Sequence, residues 1–265
     1  AVQAAPGDTW TFVDGDLATG LNKDTSKNAA DPTMAVFNNE LYVAWTETGS
    51  STTQIRVRKY NGKTWIWVDG GGSTGLNYDT NQSARHPALI GYGGLLYAIW
   101  SEMYSTGYRI CVKKYDGNSW TDAAPNSSET GMSNNLGAAN PTFGICNGKL
   151  YAAWTETYGK AQLRVKQYDT GTNWSFVDGG GYDGSLNIST SKSAYQPKLM
   201  AVNNKLYIIW TEDNNSGVCQ IHVKRYDGGS TWSLADGGGL NYDSAQKVDL
   251  AGLAVCNNVL YAHWV

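Results

Sequence analysis

The stretch Leu41-Tyr42-Val43-Ala44-Trp45 decides the fold, because the chain repeats it five times in the form Leu-Tyr-x-x-Trp. The tryptophans of the five copies are 55, 54, 56 and 54 residues apart, at Trp45, Trp100, Trp154, Trp210 and Trp264. A fixed period of this length with strand-like content is typical of folds built from equal, repeated β-sheets. We therefore interpret the 265 residues as five copies of one structural unit.

The sequence pattern within each period predicts four short strands joined by hairpins. In the first period the apolar or alternating segments are Thr33–Phe37, Leu41–Glu47, Gln54–Tyr60 and Thr64–Val68. Asn38-Asn39 and Asn61-Gly62 lie between them, and Asn and Gly tolerate the positive φ that tight hairpins need. Four antiparallel strands per period form the pattern of one β-propeller blade.

The two ends of the chain complement each other. The N-terminal residues align with the third and fourth strands of a period, whereas Gly252–Val255 and Leu260–Val265 align with the first and second. We expect the ends to pair into a fifth blade, which would close the ring and remove exposed sheet edges. The predicted fold is an all-β, five-bladed β-propeller of four-stranded antiparallel blades, with residues 1–265 as a single domain.

Composition narrows the possible partners and locations. The net charge is −3 with the charges interspersed, which argues against nucleic acid and anionic membranes as partners. No apolar run approaches the roughly 18 residues of a membrane span, so we expect no membrane insertion. We expect a monomer that is secreted or at the cell surface. The four cysteines fall at repeat positions too far apart for the ~7 Å Cα separation of a disulfide, which predicts four free thiols.

The motif Trp-Thr/Ser-Glu ends the second strand of four repeats. Four of the six glutamates in the chain lie there, namely Glu47, Glu102, Glu156 and Glu212. One interpretation is structural, with each carboxylate accepting loop N–H groups or pairing with Arg56 or Arg164. The other is a polar ring that hydrogen-bonds sugar hydroxyls. Because Val265 aligns with Thr46 and a fifth such glutamate is missing, the second interpretation predicts four competent sites.

A second motif, Leu-Asn-x-Asp, recurs in the long loop after the fourth strand. Its members are Asn22, Asp24, Asn77, Asp79, Asn241 and Asp243, and Asn187 keeps the asparagine with Ser189 in place of the aspartate. These side chains either fold the loop or bind a ligand, and we take both motifs as ligand-binding candidates. The second-strand tryptophans are predicted to be core. The third-strand cations Arg58, Lys113, Lys166 and Lys224 are predicted to form a solvated outer face.

The sequence gives little indication of catalysis. It contains no HExxH, no closely spaced Cys/His pair, no GxSxG and no Walker loop, so neither a metal nor a cofactor is expected. One asymmetry remains, since Asp31 begins the first strand of the first repeat and its counterparts are His86, Asn140, Gln196 and Leu250. A glycosidase uses carboxylates of unequal role, so a single active site could lie at this position in the central channel.

The hairpin Tyr115-Asp116-Gly117-Asn118-Ser119-Trp120 resembles the Asp-box hairpin of sialidases and related propellers, although Tyr60 and Tyr115 replace the aspartate of the box. The box is structural in that family, so this resemblance implies no sialidase activity. In blade number and internal repetition the whole chain resembles the five-bladed lectins of the tachylectin type and the propeller repeats of bacterial surface proteins. The resemblance to the lectins implies one amino-sugar site per blade or blade interface.

These observations predict a lectin without enzymatic activity. It would bind glycans or glycoconjugates through repeated, individually weak sites on one face, which together raise the apparent affinity. Two alternatives stay open. One is a protein-interaction platform of a surface protein, and the other is a glycosidase with a single site near Asp31 and His86.

Overall fold

The computed structural model describes residues 2–3, 11–14, 20–125, 131–135, 137–180, 185–213, 218–243, 245–249 and 251–265. In this part of the chain all regular elements are β-strands, and it contains no helix long and apolar enough to cross a membrane. The strands are β1 (Val2–Gln3), β2 (Thr11–Phe12), β3 (Ala29–Phe37), β4 (Glu40–Thr48), β5 (Thr53–Tyr60), β6 (Trp65–Trp67), β7 (Ala84–Tyr92), β8 (Leu95–Tyr104), β9 (Gly107–Tyr115), β10 (Trp120–Asp122), β11 (Ala139–Cys146), β12 (Lys149–Tyr158), β13 (Lys160–Thr170), β14 (Asn173–Phe176), β15 (Ala194–Val202), β16 (Lys205–Asp213), β17 (Cys219–Gly228), β18 (Thr231–Leu234), β19 (Gly252–Cys256) and β20 (Val259–His263).

The chain forms two compact units. The first unit comprises Ala1–Met103 and Lys113–Thr121, and the second comprises Tyr104–Val112 and Asp122–Val265. The first contains the N-terminal hairpin β1–β2 and the second contains the C-terminal hairpin β19–β20, each as a two-stranded antiparallel sheet. The pairing of the two hairpins into one blade, and the single domain over the whole chain, stay predictions.

The predicted succession of four strands per repeat is confirmed. Strands β3–β6 form a four-stranded antiparallel sheet in the first unit, and β11–β14 and β15–β18 form two such sheets in the second. Strands β7–β10 follow the same succession along the chain, and β7 pairs with β8. We call β3–β6, β7–β10, β11–β14 and β15–β18 the first to fourth repeats.

The second strand of each repeat forms the core. In β4, Tyr42 and Trp45 project to opposite faces, yet both are at least 95% buried, so both faces of this strand are covered. Trp100, Trp154 and Trp210 are completely buried. The prediction that these tryptophans are core residues is confirmed. Truncating one of them to alanine should cost about 3–5 kcal/mol of stability.

The fourth strand ties each repeat to the preceding one within a unit. The indole N–H of Trp120 donates to the backbone oxygen of Val68 at 2.7 Å, and the indole N–H of Trp232 donates to that of Val177 at 2.8 Å. The same bond recurs from Trp65 and Trp174. Each indole also packs against a tyrosine at or near the end of the third strand, with ring centroids 4.9–5.1 Å apart. The Trp of the Asp-box-like hairpin is thus structural here.

The prediction of a solvated face for the third-strand cations is wrong. The Lys166 ammonium donates to the backbone oxygen of Met132 at 2.8 Å and lies 4.2 Å from the Phe176 ring centroid. Desolvation lowers the pKa of Lys166 to about 8. Lys113 and Lys224 likewise cap loop carbonyls. The alternation of apolar and charged residues along one strand could not reveal that the cations are covered. The long loop of the preceding repeat covers them, and it is distant in the sequence.

All four cysteines are free, as predicted. Cys111 and Cys146 are buried, Cys219 is partly buried and Cys256 is exposed.

Candidate functional site

Each predicted glutamate is buried in the same network of hydrogen bonds. The Glu102 carboxylate accepts the Trp100 indole N–H at 2.8 Å and the backbone N–H groups of Tyr78 and Asp79 at 2.9 Å. The indole bond recurs at 2.8, 3.0 and 2.9 Å in the first, third and fourth repeats. Backbone N–H groups of the long loop complete each network. The exposed fractions are 4, 0, 3 and 2% for Glu47, Glu102, Glu156 and Glu212.

These carboxylates therefore brace the long loop against the second strand, which is the structural interpretation that the sequence left open. Two or three N–H bonds use most of the roughly four lone-pair sites of a carboxylate, and burial keeps the remainder from solvent. Binding a sugar through these glutamates stays a prediction, and a ligand would have to displace bonds on which the loop depends.

The asparagines of the second motif fix the long loop to the third strand. Asn77 accepts the backbone N–H of Ile55 at 3.0 Å and donates to two backbone carbonyls. Asn187 and Asn241 make the equivalent three bonds. Asn22 donates to one loop carbonyl at 3.0 Å. These side-chain amides thus provide hydrogen-bond partners for backbone groups that have none in the sheet.

The aspartates of the motif shape exposed turns. Asp24, Asp79 and Asp243 each accept the backbone N–H of the residue two positions later, at 2.9, 2.9 and 2.8 Å. Hydrogen bonds from the Ser26 hydroxyl and backbone lower the pKa of Asp24. Ligand binding by these aspartates stays a prediction.

The first unit has a cavity of about 580 Å³ beside the first glutamate. Asp24 and Glu47 line it together with Lys23, Lys27 and Arg56. Glu47 and Arg56 are both already engaged, since Glu47 accepts three N–H bonds and Arg56 pairs with Asp69 at 2.8 Å. The structure thus brings two of the predicted site residues to one cavity.

A third repeated acid was not identified from the sequence. Asp69, Asp178 and Asp236 follow the fourth strand. The carboxylate of each is buried and accepts a third-strand backbone N–H with one oxygen at 2.9–3.0 Å. The same oxygen contacts the side chain of Arg56, Arg164 or His222 at 2.8–2.9 Å. Burial raises the pKa of Asp69, and the Arg56 guanidinium opposes that rise. Recurrence of Asp directly after the fourth strand is the signal that could have found this set.

The second repeat replaces this buried pair with neutral residues. Cys111 occupies the position of Arg56, and Ala124 occupies that of Asp69. Both are at most 2% exposed. The two positions change together because a buried charge that keeps no partner is far more costly than a neutral pair.

The first strands carry a position that is conformationally strained in all four repeats and differs in chemistry between them. Asp31, His86, Asn140 and Gln196 have φ of 53, 54, 51 and 51°. Each lies at a register shift in the pairing of the first and second strands and directly precedes a proline. Left-handed backbone at a non-glycine residue costs about 1–3 kcal/mol and concentrates at functional sites. The fifth counterpart, Leu250, lies outside the described residues.

Two of these residues meet in the first unit. The Asp31 Oδ2 atom accepts the backbone N–H of His86 and the hydroxyl of Thr46, each at 3.3 Å. The His86 Nε2 atom lies 4.0 Å from the same oxygen. The side chains of Asp31 and His86 are 37% and 30% exposed, so both can reach a ligand. A carboxylate beside an imidazole can accept or deliver a proton.

The described residues contain no group of three or more His, Cys, Asp or Glu side chains arranged to hold a metal ion.

The structure is similar to solved glycoside hydrolases. An α-L-arabinofuranosidase from Lactobacillus brevis aligns with TM-score 0.51 and 14% identity over 90% of this chain and 84% of that one. An endo-arabinase from Bacteroides thetaiotaomicron aligns with TM-score 0.51 and 15% identity over 88% of each chain. Zg3597, a family 117 glycoside hydrolase of Zobellia galactanivorans, aligns with TM-score 0.52 and 11% identity over 79% of this chain and 69% of that one. No protein-family model and no curated protein matches the sequence.

The likeness confirms the predicted fold class, an all-β five-bladed β-propeller with four-stranded antiparallel blades. At sequence identities of 11–15%, this structural similarity is evidence about the fold alone.

The expectation of a lectin without enzymatic activity is corrected by the same comparison. The solved structures compared above are glycoside hydrolases, and the resemblance to tachylectin-type lectins finds no support. The physical reason for the error lies in the repeats. The glutamate and asparagine motifs that suggested repeated sugar sites hold the long loop in place through hydrogen bonds. A structural hydrogen bond that recurs in each repeat does not indicate a ligand.

Proposed function

We propose that this protein is a glycoside hydrolase with a single active site at Asp31 and His86. The observation that carries the proposal is the Asp31–His86 pair on two neighbouring first strands. Both residues are held in the strained left-handed conformation, and both side chains are partly exposed. In a propeller the first strands surround a central channel, and we propose that a glycan reaches the pair from that channel. The similarity of the fold to glycoside hydrolases supports the reaction class.

Asp31 is the reacting carboxylate in this proposal. Glycoside hydrolysis passes through a cation-like transition state, and a carboxylate either activates the attacking water or attacks the sugar itself. The hydrogen bonds from the Thr46 hydroxyl and the His86 backbone N–H orient the Asp31 carboxylate. His86 acts as the proton donor to the leaving oxygen, in place of the second carboxyl group that most such enzymes use.

The first test is a hydrolysis screen. The solved structures with this fold include an endo-arabinase and an α-L-arabinofuranosidase, so arabinan and nitrophenyl α-L-arabinofuranoside are the first substrates, followed by mannosides and other plant and microbial glycans. We expect release of reducing sugar from at least one of them. Absence of hydrolysis across the panel, with the protein folded, would contradict the proposal.

The repeats supply matched variants for the second test. Asp31→Asn places in the first repeat the residue that Asn140 already provides at the same strained position of the third, so the fold should persist. His86→Gln does the same with the residue of the fourth repeat, Gln196. We expect Asp31→Asn to lower the rate by about 10²–10⁴-fold. His86→Gln should also lower the rate, because it removes the proposed proton donor, and Asp116→Asn, at an exposed hairpin, serves as the control that leaves the rate unchanged.

The predicted secreted or cell-surface location and the monomeric state accord with a hydrolase of extracellular glycans, and we carry them forward as part of this proposal.

A further inference from the structure

The cavity of about 580 Å³ in the first unit has no role in the proposed reaction. Its wall is formed by the long loop before β3, which contributes Lys27, the turn between β4 and β5, which contributes Ser50, and the loop after β6, which contributes Ser73. Asp31 and His86 do not line it. The volume lies in the range of pockets that hold small ligands.

Two lysines distinguish the loop before β3 from its counterparts. Lys23 and Lys27 both line the cavity. At the equivalent positions, three other long loops have at most one cation, namely the pairs Tyr78 and Gln82, Ile188 and Lys192, and Tyr242 and Gln246. The loop bonds that recur in every repeat do not require these lysines, so a separate role can account for them.

Hydrogen bonds of the loop hold the two lysines in place. The Lys23 ammonium donates to the backbone oxygen of Gly71 at 2.6 Å and lies 5.7 Å from the Trp67 ring centroid. This bond uses one of the three N–H groups of an ammonium, so two remain for a ligand. The backbone N–H of Lys27 donates to the backbone oxygen of Asp24 at 3.0 Å, which places both lysines on one tight turn.

The exposed charges of the cavity wall are mainly positive. Glu47 and Arg56 also line the cavity, but they are only 4% and 2% exposed and are engaged within the protein. Lys23, Lys27 and Asp24 are exposed. Two ammonium groups therefore face a ligand together with one carboxylate, which favours an anion.

The Asp24 carboxylate opposes that preference. Hydrogen bonds from the Ser26 hydroxyl and backbone lower the pKa of Asp24, so this group is charged at neutral pH. Removal of its charge should thus strengthen the binding of an anion, while removal of a lysine should weaken it.

We propose that this cavity binds a doubly charged oxyanion, namely a sulfate or phosphate group. The ammonium groups of Lys23 and Lys27 donate to its oxygens, and the hydroxyls of Ser50 and Ser73 rotate to donate further bonds. The group is either a free ion or an ester on a larger molecule. The inference goes beyond the proposed hydrolase, because it assigns a separate site for an anion and requires no hydrolysis.

The test is a titration of the intact protein followed by amide chemical shifts in NMR, at an ionic strength held constant with sodium chloride. The probes are inorganic sulfate, inorganic phosphate, D-galactose 6-sulfate and D-galactose. We expect the three anions to shift amides around the cavity and D-galactose to leave them unchanged. Binding of D-galactose 6-sulfate about tenfold tighter than sulfate would identify an ester as the ligand, and equal affinities would identify the free ion.

Three variants test the role of charge. Lys27→Met should weaken binding about three- to fivefold, as expected for one exposed charge pair. Asp24→Asn keeps an acceptor oxygen for Ser26 and should strengthen binding by a similar factor. Lys63→Met removes the same charge at the opposite end of β5, in an exposed hairpin, and should bind as the unmodified protein does.

Opposite effects of Lys27→Met and Asp24→Asn are the result that a purely structural role of these residues would not produce. The absence of shifts with all three anions overturns the inference, as does unchanged affinity in both variants or equal binding of D-galactose. The spectra also report whether each variant is folded. Asp31→Asn should lose hydrolysis and keep anion binding, so a failure of the proposed function leaves this test intact.

Discussion

Replacement of Glu212 by alanine tests the role of the repeated glutamate. Its carboxylate accepts the backbone N–H groups of Ile188 and Ser189 at 2.8 and 2.9 Å and the Trp210 indole at 2.9 Å, and the residue is 2% exposed. The variant leaves the buried Trp210 indole and two partly buried backbone N–H groups without this acceptor. Each loss costs about 1 kcal/mol, so the free energy of unfolding should fall by about 3 kcal/mol.

Urea denaturation followed by tryptophan fluorescence measures this loss. If the m-values of the variant and the unmodified protein are equal, the shift of the denaturation midpoint gives the change in the free energy of unfolding. Glu212→Gln retains one acceptor oxygen and should lose less stability than the alanine variant, which keeps the measurement possible if Glu212→Ala does not fold. Asp243→Ala removes a carboxylate with one exposed hydrogen bond and should cost no more than about 1 kcal/mol. A loss below about 1 kcal/mol for Glu212→Ala would refute the structural role.

The remaining predictions concern the buried charges of the second unit. Asp178→Ala should cost about 3 kcal/mol, because it removes one of the two carboxylates that pair with the buried Arg164 and leaves the Val165 N–H without its acceptor. Adding Arg164→Cys, which reproduces the neutral pair of the second repeat, should recover at least about 1 kcal/mol in a double-mutant cycle. Equal losses for the single and double variants would contradict this. The pKa of Lys166 is about 8 in the folded protein and 10.5 in the unfolded chain. Between pH 8 and pH 10.5 the unfolded chain therefore binds more protons than the folded protein does. The free energy of unfolding should rise with pH over this range, by up to about 3 kcal/mol. Lys166→Met should remove that rise in pH-dependent denaturation, whereas the exposed control Lys160→Met should keep it.

Most of the fold could be predicted from the sequence because the chain repeats. The predicted third strand Gln54–Tyr60 is observed as Thr53–Tyr60, because alternation and flanking turn residues are local signals. The burial of Trp100 and Trp154 followed from their place in a middle strand. The third-strand lysines were misjudged because a loop more than thirty residues away covers them, and no local pattern reports such cover.

The site was harder to predict for two physical reasons. A residue before proline normally avoids the left-handed region, so the sequence gives no sign that Asp31 and His86 adopt φ near 54°. The role of Glu102 depends on donors 23 and 24 residues away in the chain. What the sequence did show was the unequal chemistry of Asp31 and its counterparts, and that asymmetry, not the repeated motifs, marks the proposed site.

The central claim is that Asp31 performs glycoside hydrolysis. The most direct measurement is kcat/KM of the unmodified protein and of Asp31→Asn on the same hydrolysed glycan, with matching thermal unfolding to show that both are folded. A loss of about 10²–10⁴-fold is the predicted result. Equal values of kcat/KM for two equally folded proteins would contradict the claim.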